Sequence, residues 1–198
     1  MKFFFKRVLD LIISLLALII LFPLFVLLSI LIKSTSIGSV FFIQERVGKD
    51  GIIFKMIKFR TMYVMQDTCS TISLKGDVRV TKIGGFLRKY KLDELPELIN
   101  VLLGHMSLVG PRPDVLGYAD QLVKADRDIL KIRPGITGPA SLKYLNEEEI
   151  LAKQEDPKAY NDEVIYPDKV KINLDYYNNQ SIWLDFKIIF ATIFRTSY

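Results

Sequence analysis

The sequence predicts an α/β fold, mostly helical with one small β-hairpin, that is attached to a membrane through its N-terminal segment. Three observations support this prediction. Residues 11–32 form an uncharged, apolar run of 22 residues. Two strand-like segments, residues 40–44 and 52–59, flank the turn sequence Lys49-Asp50-Gly51. Farther along the chain, apolar residues recur at the spacing of amphipathic helices.

The composition excludes a disordered chain. Of the 198 residues, 50% are apolar and 25% are charged, and the mean hydropathy is +0.25. The net charge of +5 is uneven, because residues 45–91 carry eleven Lys or Arg against four Asp or Glu, and residues 92–198 carry twelve against seventeen. This asymmetry argues against a nucleic-acid-binding protein and predicts a local basic site for a polyanion such as a diphosphate.

Cysteine and histidine usage narrows the possible chemistry. The chain has one cysteine, Cys69, and one histidine, His105. It therefore cannot form an intrachain disulfide, and it has too few ligands for a zinc site of the usual Cys/His kind. His105 follows a predicted helix end, which indicates a structural role. Any metal ion would be held by oxygen atoms, and Mg²⁺ is the natural candidate.

The apolar run is long enough to cross a bilayer, since 22 helical residues extend about 33 Å and a hydrocarbon core is about 30 Å thick. A signal peptide fits less well, because its apolar region has about 7–15 residues. Pro23 lies near the centre of the run and removes a helix hydrogen bond, and basic residues flank both ends. The residues alone leave two topologies open, a spanning helix and a re-entrant helix-break-helix hairpin.

Two adjacent acidic residues, Asp93 and Glu94, are the strongest candidates for catalysis. Thr81 is expected to cap one helix, and a second helix is expected to begin near Asp93 and to end at Gly104. Free N–H groups at a helix N-terminus would keep Asp93 ionised, as a nucleophile requires, while Glu94 could hold a divalent cation. Ordinary helix capping is the alternative interpretation of the pair.

Cationic residues before and after this pair are candidates for phosphate binding. In Gly110-Pro111-Arg112-Pro113, two prolines restrict the backbone around one arginine, which favours bidentate phosphate recognition. Arg133-Pro134-Gly135-Ile136-Thr137-Gly138 combines a cation, turn residues and a hydroxyl in the same way. A tight turn with an exposed arginine is the alternative for either motif. The predicted substrate-binding residues are Lys58, Arg60, Arg88, Arg112, Arg133 and Thr137.

Other segments carry weaker predictions. Residues 60–80 are expected to form a loop with a turn at Gly76-Asp77, and residues 114–131 a polar helix. The acidic stretch at residues 147–149 is typical of a solvated helix face. The C-terminal run, residues 183–195, fits either a helix lying in the membrane interface or a core helix of the body.

Five motifs together resemble the bacterial sugar transferase family, in the same order along nearly the whole chain. These are the small monotopic polyprenyl-phosphate phosphoglycosyl transferases, which include a campylobacter enzyme that initiates N-linked glycan assembly. The motifs are Lys6-Arg7 with Asp10, Lys58-Phe59-Arg60-Thr61-Met62, Leu92-Asp93-Glu94-Leu95-Pro96-Glu97-Leu98, Gly110-Pro111-Arg112-Pro113 and Arg133-Pro134-Gly135-Ile136-Thr137-Gly138.

The resemblance implies a reaction. Family members transfer a phospho-sugar from a UDP-sugar to a polyprenyl (undecaprenyl) phosphate and release UMP, which initiates surface glycan biosynthesis. Asp93 would then be the nucleophile that forms a covalent phospho-sugar intermediate, and Asp93 and Glu94 would lie at the Mg²⁺ ion. Downstream glycosyltransferases are implied as partners.

The resemblance also implies an architecture. Residues 1–35 would be a re-entrant membrane hairpin broken at Pro23. Residues 36–198 would form a transferase domain, with interfacial amphipathic helices, on the cytoplasmic face of the bacterial inner membrane.

The chain departs from the family pattern at two places. Phe22 stands where family members often have serine, and the acidic segment of residues 139–167 differs from that of many members, which leaves the donor sugar open. Two further function classes stay open beside the transferase, namely a catalytically silent membrane scaffold and a membrane-anchored nucleotide-sugar hydrolase.

Overall fold

The computed structural model describes residues 2–63 and 78–196. Cys69 and the turn predicted at Gly76-Asp77 lie outside these residues. The strands are β1 (Phe41–Val47), β2 (Ile53–Phe59), β3 (Ser107–Val109) and β4 (Gly135–Thr137). The α-helices are α1 (Lys2–Thr35), α2 (Lys82–Lys89), α3 (Glu97–Leu102), α4 (Pro139–Lys143), α5 (Glu147–Leu151), α6 (Pro157–Tyr160), α7 (Tyr166–Asn179) and α8 (Ile182–Phe194), and a π-helical turn (Asn161–Ile165) precedes α7.

The apolar N-terminal segment forms the single helix α1, which continues through Pro23. Its residues Phe4–Thr35 are long and apolar enough to cross a membrane by length and composition. Pro23 therefore does not interrupt the helix, contrary to the prediction. On either side of Pro23, Leu21 packs against one core cluster of the body and Leu24 against the other.

Both halves of α1 contact the body of the protein. Near the N-terminal end, the Arg7 guanidinium donates to the carbonyl oxygens of Val101 at 2.7 Å and Met106 at 3.2 Å. In the C-terminal half, Leu28 and Ile32 are buried. The two ends of the helix thus lie against the same globular unit.

The main core joins the hairpin to the helices around it. Its buried side chains come from β2, α3, β3, α7 and α8 and include Phe54, Val101, Val109, Tyr176 and Ile188. A second cluster holds α1 against the other end of the hairpin and α2. Its buried members are Leu28, Ile32, Phe59 and Leu87.

The predicted hairpin is confirmed. β1 and β2 pair antiparallel, with Phe41 opposite Phe59 and Val47 opposite Ile53. The connecting turn places Asp50 and Gly51 at positive φ, as an Asp-Gly turn requires. β1 extends to Val47, three residues beyond the predicted strand, because its ladder with β2 continues to the turn.

A second, parallel pair of strands was not predicted. β3 and β4 pair with Ser107 opposite Gly135 and Val109 opposite Thr137. Glycine allows this approach, because a Cβ on Gly135 would lie 2.1 Å from the Gly110 nitrogen. The two Gly- and Pro-containing motifs of the sequence therefore cross each other backbone to backbone.

Two predicted helices differ in the structure. The helix expected from Asp93 begins at Glu97, and Asp93 lies in a preceding 3₁₀ helix, Leu92–Glu94. Pro96 explains the shift, since it has no N–H to donate to the Leu92 carbonyl, which instead accepts from Leu95 in the tighter pattern.

The polar helix expected over residues 114–131 is also wrong. The 3₁₀ helices Ala119–Gln121 and Lys124–Lys131 occur there. Within the second of these, only Ile129 and Leu130 are buried, which gives an α-helix too little apolar surface to pack.

The C-terminal segment forms α8, which packs on the body as one of the two predictions expected, while the interfacial role stays a prediction. Ile188 and Ala191 on one face are buried in the body. Trp183, Phe190 and Phe194 on the remaining surface are exposed by 59–70%. Such a helix can pack on the body and still offer aromatic side chains to a membrane interface.

Candidate active site

The predicted catalytic carboxylates lie in the 3₁₀ helix Leu92–Glu94, and both are buried. Leu92 and Leu95 of this turn pack against the cluster that contains Leu28 and Ile32 of α1. The candidate site therefore packs on the cluster through which α1, β2 and α2 are joined.

Glu94 is held by two cations from different elements. Lys58 of β2 donates to Glu94 Oε1 at 3.0 Å, and Arg112 donates to the same oxygen. Burial raises the pKa of Glu94, but the charges of Arg112 and Lys58 outweigh burial and hold the pKa well below its ordinary value. Glu94 is therefore ionised at neutral pH.

Glu97 belongs to the site although the sequence analysis did not select it. It is 2% exposed, and its Oε1 lies 3.2 Å from Lys58 Nζ, so that Lys58 is shared between Glu97 and Glu94. Burial raises the pKa of Glu97 to about 7, against the opposing charge of Lys58. Its position one helical turn after Glu94, within the same motif, is the signal that could have identified it.

Asp93 lies among charges of both signs. Burial and the neighbouring Glu94 raise the pKa of its carboxyl, while Lys58, Lys91 and Arg88 act in the opposite direction. The expected support from an α-helix N-terminus is absent, because α3 begins four residues later. Side-chain cations thus replace the helix dipole as the groups that favour ionised Asp93.

Arg88 and Arg112 belong to segments that precede and follow the carboxylates in the sequence. Arg88 of α2 donates from Nε to the Thr61 hydroxyl at 2.9 Å, and its charge acts on Asp93. The Arg112 side chain remains 41% exposed while it contacts Glu94. Part of the Arg112 side chain is therefore accessible from outside the site.

Three other predicted binding residues have partners within the protein. Buried Arg60 donates to the carbonyl oxygens of Ser36 and Ile37, both at 2.8 Å. Arg133 donates to the Gly104 carbonyl at 2.8 Å, and the Thr137 hydroxyl lies 2.6 Å from that of Thr192. In residues 2–63 and 78–196, none of the three donates to Asp93, Glu94 or Glu97. Their contacts instead fasten the ends of α1, α3 and α8.

The loop that carries Arg112 is clamped by β1. Arg46 donates to the Pro113 carbonyl at 3.1 Å, and the Val47 amide donates to the Asp114 carbonyl at 2.9 Å. Burial and the nearby Arg112 lower the pKa of Arg46 to about 10. Burial raises the pKa of Asp114 to about 6. The sequence analysis missed Arg46 and Asp114, since no local pattern relates β1 to this loop.

The geometry unites Asp93, Glu94, Lys58, Arg88 and Arg112 in one site. Residues 1–197 match the family described as bacterial sugar transferase. The chain belongs to the bacterial sugar transferase family.

Named relatives of this bacterial sugar transferase fall into two size classes. A UDP-glucose:undecaprenyl-phosphate glucose-1-phosphate transferase from Klebsiella pneumoniae is 41% identical over 196 residues, which cover 96% of this chain and 40% of the relative. A UDP-N-acetylgalactosamine-undecaprenyl-phosphate N-acetylgalactosaminephosphotransferase from Aeromonas hydrophila is 37% identical over 199 residues, covering 96% and 43%. The exopolysaccharide production protein ExoY of Sinorhizobium fredii is 37% identical over 204 residues, covering 95% and 83%. The chain thus spans about two-fifths of the larger relatives.

The carboxylate pair of this bacterial sugar transferase fits the chemistry of Mg²⁺. Oδ1 of Asp93 is buried and has no hydrogen-bond partner among the described residues. Buried oxygens are normally satisfied, so this one marks a position for a further ligand. Within the described residues, no three His, Cys, Asp or Glu side chains converge as metal ligands. Asp93 and Glu94 are the residues that would hold a Mg²⁺ ion here, since carboxylate oxygens are ligands that this ion prefers.

Proposed function

We propose that this protein transfers a sugar 1-phosphate from a UDP-sugar to a polyprenyl phosphate. The observation that carries the proposal is the buried Asp93, with one oxygen unpartnered in the described chain, beside a Glu94 that Lys58 and Arg112 hold ionised. The relatives from Klebsiella pneumoniae and Aeromonas hydrophila are named for reactions of this type.

In the first step, an Asp93 oxygen attacks the sugar-bearing phosphorus of the donor. An O–P bond forms between the Asp93 carboxylate and this phosphorus, which gives an acyl phosphate (a mixed anhydride), while the phosphoanhydride bond breaks and UMP leaves with the bonding electron pair. In the second step, an oxygen of the polyprenyl phosphate attacks the same phosphorus, which forms a lipid diphosphate-sugar and frees Asp93. The two steps together conserve one phosphoanhydride bond.

The site's cations suit a diphosphate donor. Arg112, whose side chain is partly exposed, and Arg88 are placed to bind its phosphate oxygens, and Lys58 fixes the Glu94 carboxylate next to Asp93. Mg²⁺ held by Asp93 and Glu94 would neutralise charge on the diphosphate. Water replacing the lipid acceptor would give the hydrolase, the alternative function.

The contacts of α1, which is one helix and not a hairpin broken at Pro23, support a topology in which both of its ends lie on the same face of the membrane. Arg7 near one end and Ile32 near the other both pack against the body. A straight spanning helix would separate these residues by the hydrocarbon core, about 30 Å. We therefore place both ends of α1 on one face, the cytoplasmic face of the bacterial inner membrane, with the exposed aromatic side chains of α8 at the interface. A glycosyltransferase is the class of enzyme that would extend the lipid-linked product.

The proposal is tested with purified protein, Mg²⁺, undecaprenyl phosphate and a donor panel that includes UDP-glucose and UDP-N-acetylgalactosamine. We expect UMP and a lipid-linked sugar to form together, and Asp93→Asn to abolish both. UMP release at the same rate without lipid would favour the hydrolase. Failure with every donor would favour the silent scaffold, and full turnover by Asp93→Asn would overturn the assignment of the nucleophile.

A further inference from the structure

The charged motif near the start of α1 has no part in the proposed reaction, yet it belongs to a buried cluster. Asp10 is 5% exposed and lies one helical turn after Lys6. Lys6 Nζ lies 3.7 Å from Asp10 Oδ1 and 2.7 Å from Oδ2 of Asp185 in α8, so one ammonium serves two buried carboxylates. Buried charges are costly to desolvate, and apolar side chains of similar volume often stabilise a protein as well. The cluster therefore calls for a function beyond stability.

Both carboxylate oxygens of Asp10 bind strand β3. Oδ2 accepts from the Ser107 hydroxyl at 2.7 Å, and Oδ1 accepts from the Leu108 amide at 3.4 Å. Ser107 is itself buried, so these contacts are shielded from water. The apolar helix thus fixes the first two residues of the strand.

The last residue of β3 is held by the other carboxylate of the cluster. The Tyr176 hydroxyl of α7 lies 2.6 Å from Asp185 Oδ1 and 3.3 Å from the carbonyl oxygen of Val109. Lys6 joins Asp185 to Asp10. Side chains from α1, α7 and α8 therefore hold β3 along its whole length.

Strand β3 leads directly into the loop that carries Arg112. The Gly110 amide donates to the Thr137 carbonyl at 2.9 Å. The Pro111 carbonyl accepts from the Gly135 amide at 2.8 Å. Because these bonds and the proline ring leave the backbone little freedom, a displacement of the strand is transmitted to Arg112.

We propose that Asp10 is a positioning residue for Arg112; this inference rests on the proposed function, in which Arg112 binds the donor diphosphate. Asp10 acts through β3 and not on the substrate. By fixing the strand, it determines where the Arg112 guanidinium meets Glu94 and the donor. A displacement of about 1 Å in a group that positions substrate can cost roughly 100-fold in rate. The apolar helix is thereby a working part of the active site.

Four variants separate position from stability. Asp10→Ala removes both contacts to β3, whereas Asp10→Asn keeps one oxygen for the Ser107 hydroxyl. Ser107→Ala removes one contact and provides the test if Asp10→Ala does not fold. Ile13→Ala is the matched control, because Ile13 lies beside Asp10 on α1 and packs against the main core as an apolar side chain. Asp10→Ala and Ile13→Ala should both lower the melting temperature.

Donor kinetics are measured with undecaprenyl phosphate and either UDP-glucose or UDP-N-acetylgalactosamine. Asp10→Ala should raise the KM of the donor and lower kcat/KM by about tenfold or more, while Asp10→Asn should retain most of the activity. Ser107→Ala should lie between Asp10→Ala and wild type. Ile13→Ala should keep the wild-type KM, because lost stability reduces the amount of active enzyme and not its affinity. An unchanged donor KM in Asp10→Ala and Ser107→Ala would contradict the inference.

A double-mutant cycle with Arg112→Lys tests whether Asp10 acts through Arg112. Lysine keeps the charge on a flexible stem, so its activity depends less on the exact position of the loop. Adding Asp10→Ala to Arg112→Lys should therefore lower kcat/KM by less than about threefold, which would be a clear coupling between the two sites. An equal loss from Asp10→Ala in both backgrounds would show that Asp10 acts elsewhere.

Amide hydrogen exchange tests the structural step whatever donor the protein uses. In the full chain in detergent, Asp10→Ala should increase deuterium uptake in residues 107–113 relative to wild type and to Ile13→Ala. Unchanged uptake in these residues would overturn the inference. Failure of the proposed function itself would appear differently, as absence of UMP formation by wild type.

Discussion

Lys58 serves two buried carboxylates at once, and this sharing sets the charge of the site. Its ammonium lies 3.0 Å from Glu94 and 3.2 Å from Glu97. Glu94 also forms an ion pair with Arg112. Among the described residues, Glu97 forms an ion pair with Lys58 alone. A buried carboxylate with incomplete compensation tends to take up a proton. Glu97 is therefore a group of this cluster whose charge changes near neutral pH.

The stability of the protein should show this titration. The pKa of Glu97 is about 7 in the folded protein and 4.5 ordinarily, so between these pH values the folded state binds more protons than the unfolded state. The contribution of Glu97 to stability is then present at the low end of this window and is lost as the pH rises through it. Glu97→Gln should flatten the decline in melting temperature across the window.

The control for this measurement is Glu163→Gln, a substitution at an exposed position. It should retain the wild-type dependence of melting temperature on pH. If Glu97→Gln also retained that dependence, Glu97 would not be the titrating group.

The sequence identified candidate catalytic residues where the residue type alone limits the reactions that a side chain can carry out. Asp93 and Glu94 stood out because two acidic residues follow a basic block, and the structure surrounds them with Lys58, Arg88 and Arg112. Glu97 escaped notice, since a buried acid on the apolar side of a helix can be recognised only once its partner is known. The roles of Arg60, Arg133 and Thr137 in substrate binding remain predictions, and their internal partners came from segments distant in sequence.

Among the elements, the parallel pair β3 and β4 determines where Arg112 lies. Arg112 follows β3 by three residues, and the crossing of Gly110 with Gly135 fixes the start of its loop. β1 fixes the end of the loop through Arg46. The position of the Arg112 guanidinium thus depends on backbone contacts that leave no room for a side chain.

Gly135→Ala should disrupt this arrangement. The added Cβ would lie 2.1 Å from the Gly110 nitrogen and 2.5 Å from the Thr137 oxygen, and backbone atoms cannot move aside as a flexible side chain can. We expect a destabilisation of roughly 1–3 kcal/mol or more, together with loss of transferase activity. Thermal unfolding and the turnover assay measure the two effects.

Gly85→Ala is the matched control, because a Cβ at that position of α2 would meet no atom within 4 Å. It should stabilise α2 by up to about 1 kcal/mol, the difference in helix propensity. A similar stability of the Gly135 and Gly85 variants would refute the role of the β3–β4 crossing.

The elements differ in how well they could be predicted, and length is the physical reason. The hairpin has strands of seven residues and an Asp-Gly turn, so its pattern is visible locally. β3 and β4 have three residues each, which is too short for an alternating pattern, and their partners lie 28 residues apart. The predicted start of α3 was wrong because the sequence does not show how the chain compensates for the N–H that Pro96 lacks. In the structure, the Leu92 carbonyl accepts a 3₁₀ hydrogen bond from the Leu95 amide.

For the whole molecule, the decisive feature is that both ends of α1 meet the same body. At the N-terminal end, Arg7 donates to the Val101 carbonyl, and Asp10 accepts from the Ser107 hydroxyl at 2.7 Å. At the C-terminal end, Ile32 is buried in the second core cluster. These contacts favour one topology out of the two that the sequence left open. Neither hydropathy nor flanking charge contained that information, because the contacts of Arg7 and Asp10 join residues about 100 positions apart in the sequence.

Cysteine labelling tests the topology in membranes. Lys2→Cys and, separately, Glu155→Cys are placed on a Cys69→Ser background, and a membrane-impermeant thiol reagent is applied from each side. Because both ends of α1 contact the body, the two positions should react from the same side. Reaction of position 2 from the side opposite to position 155 would restore the spanning helix.

The packing of α1 also bears on how the protein can form. Leu28 and Ile32 help to cover Phe59 and Leu87, and Ile13 and Leu21 pack against the main core. Deleting the helix would therefore uncover the interior and not merely release a soluble enzyme from the bilayer. Since α1 precedes the body in the chain, the body can complete its interior only once α1 is in place against it. Biogenesis is thus expected to be coupled, with membrane insertion as a step of folding.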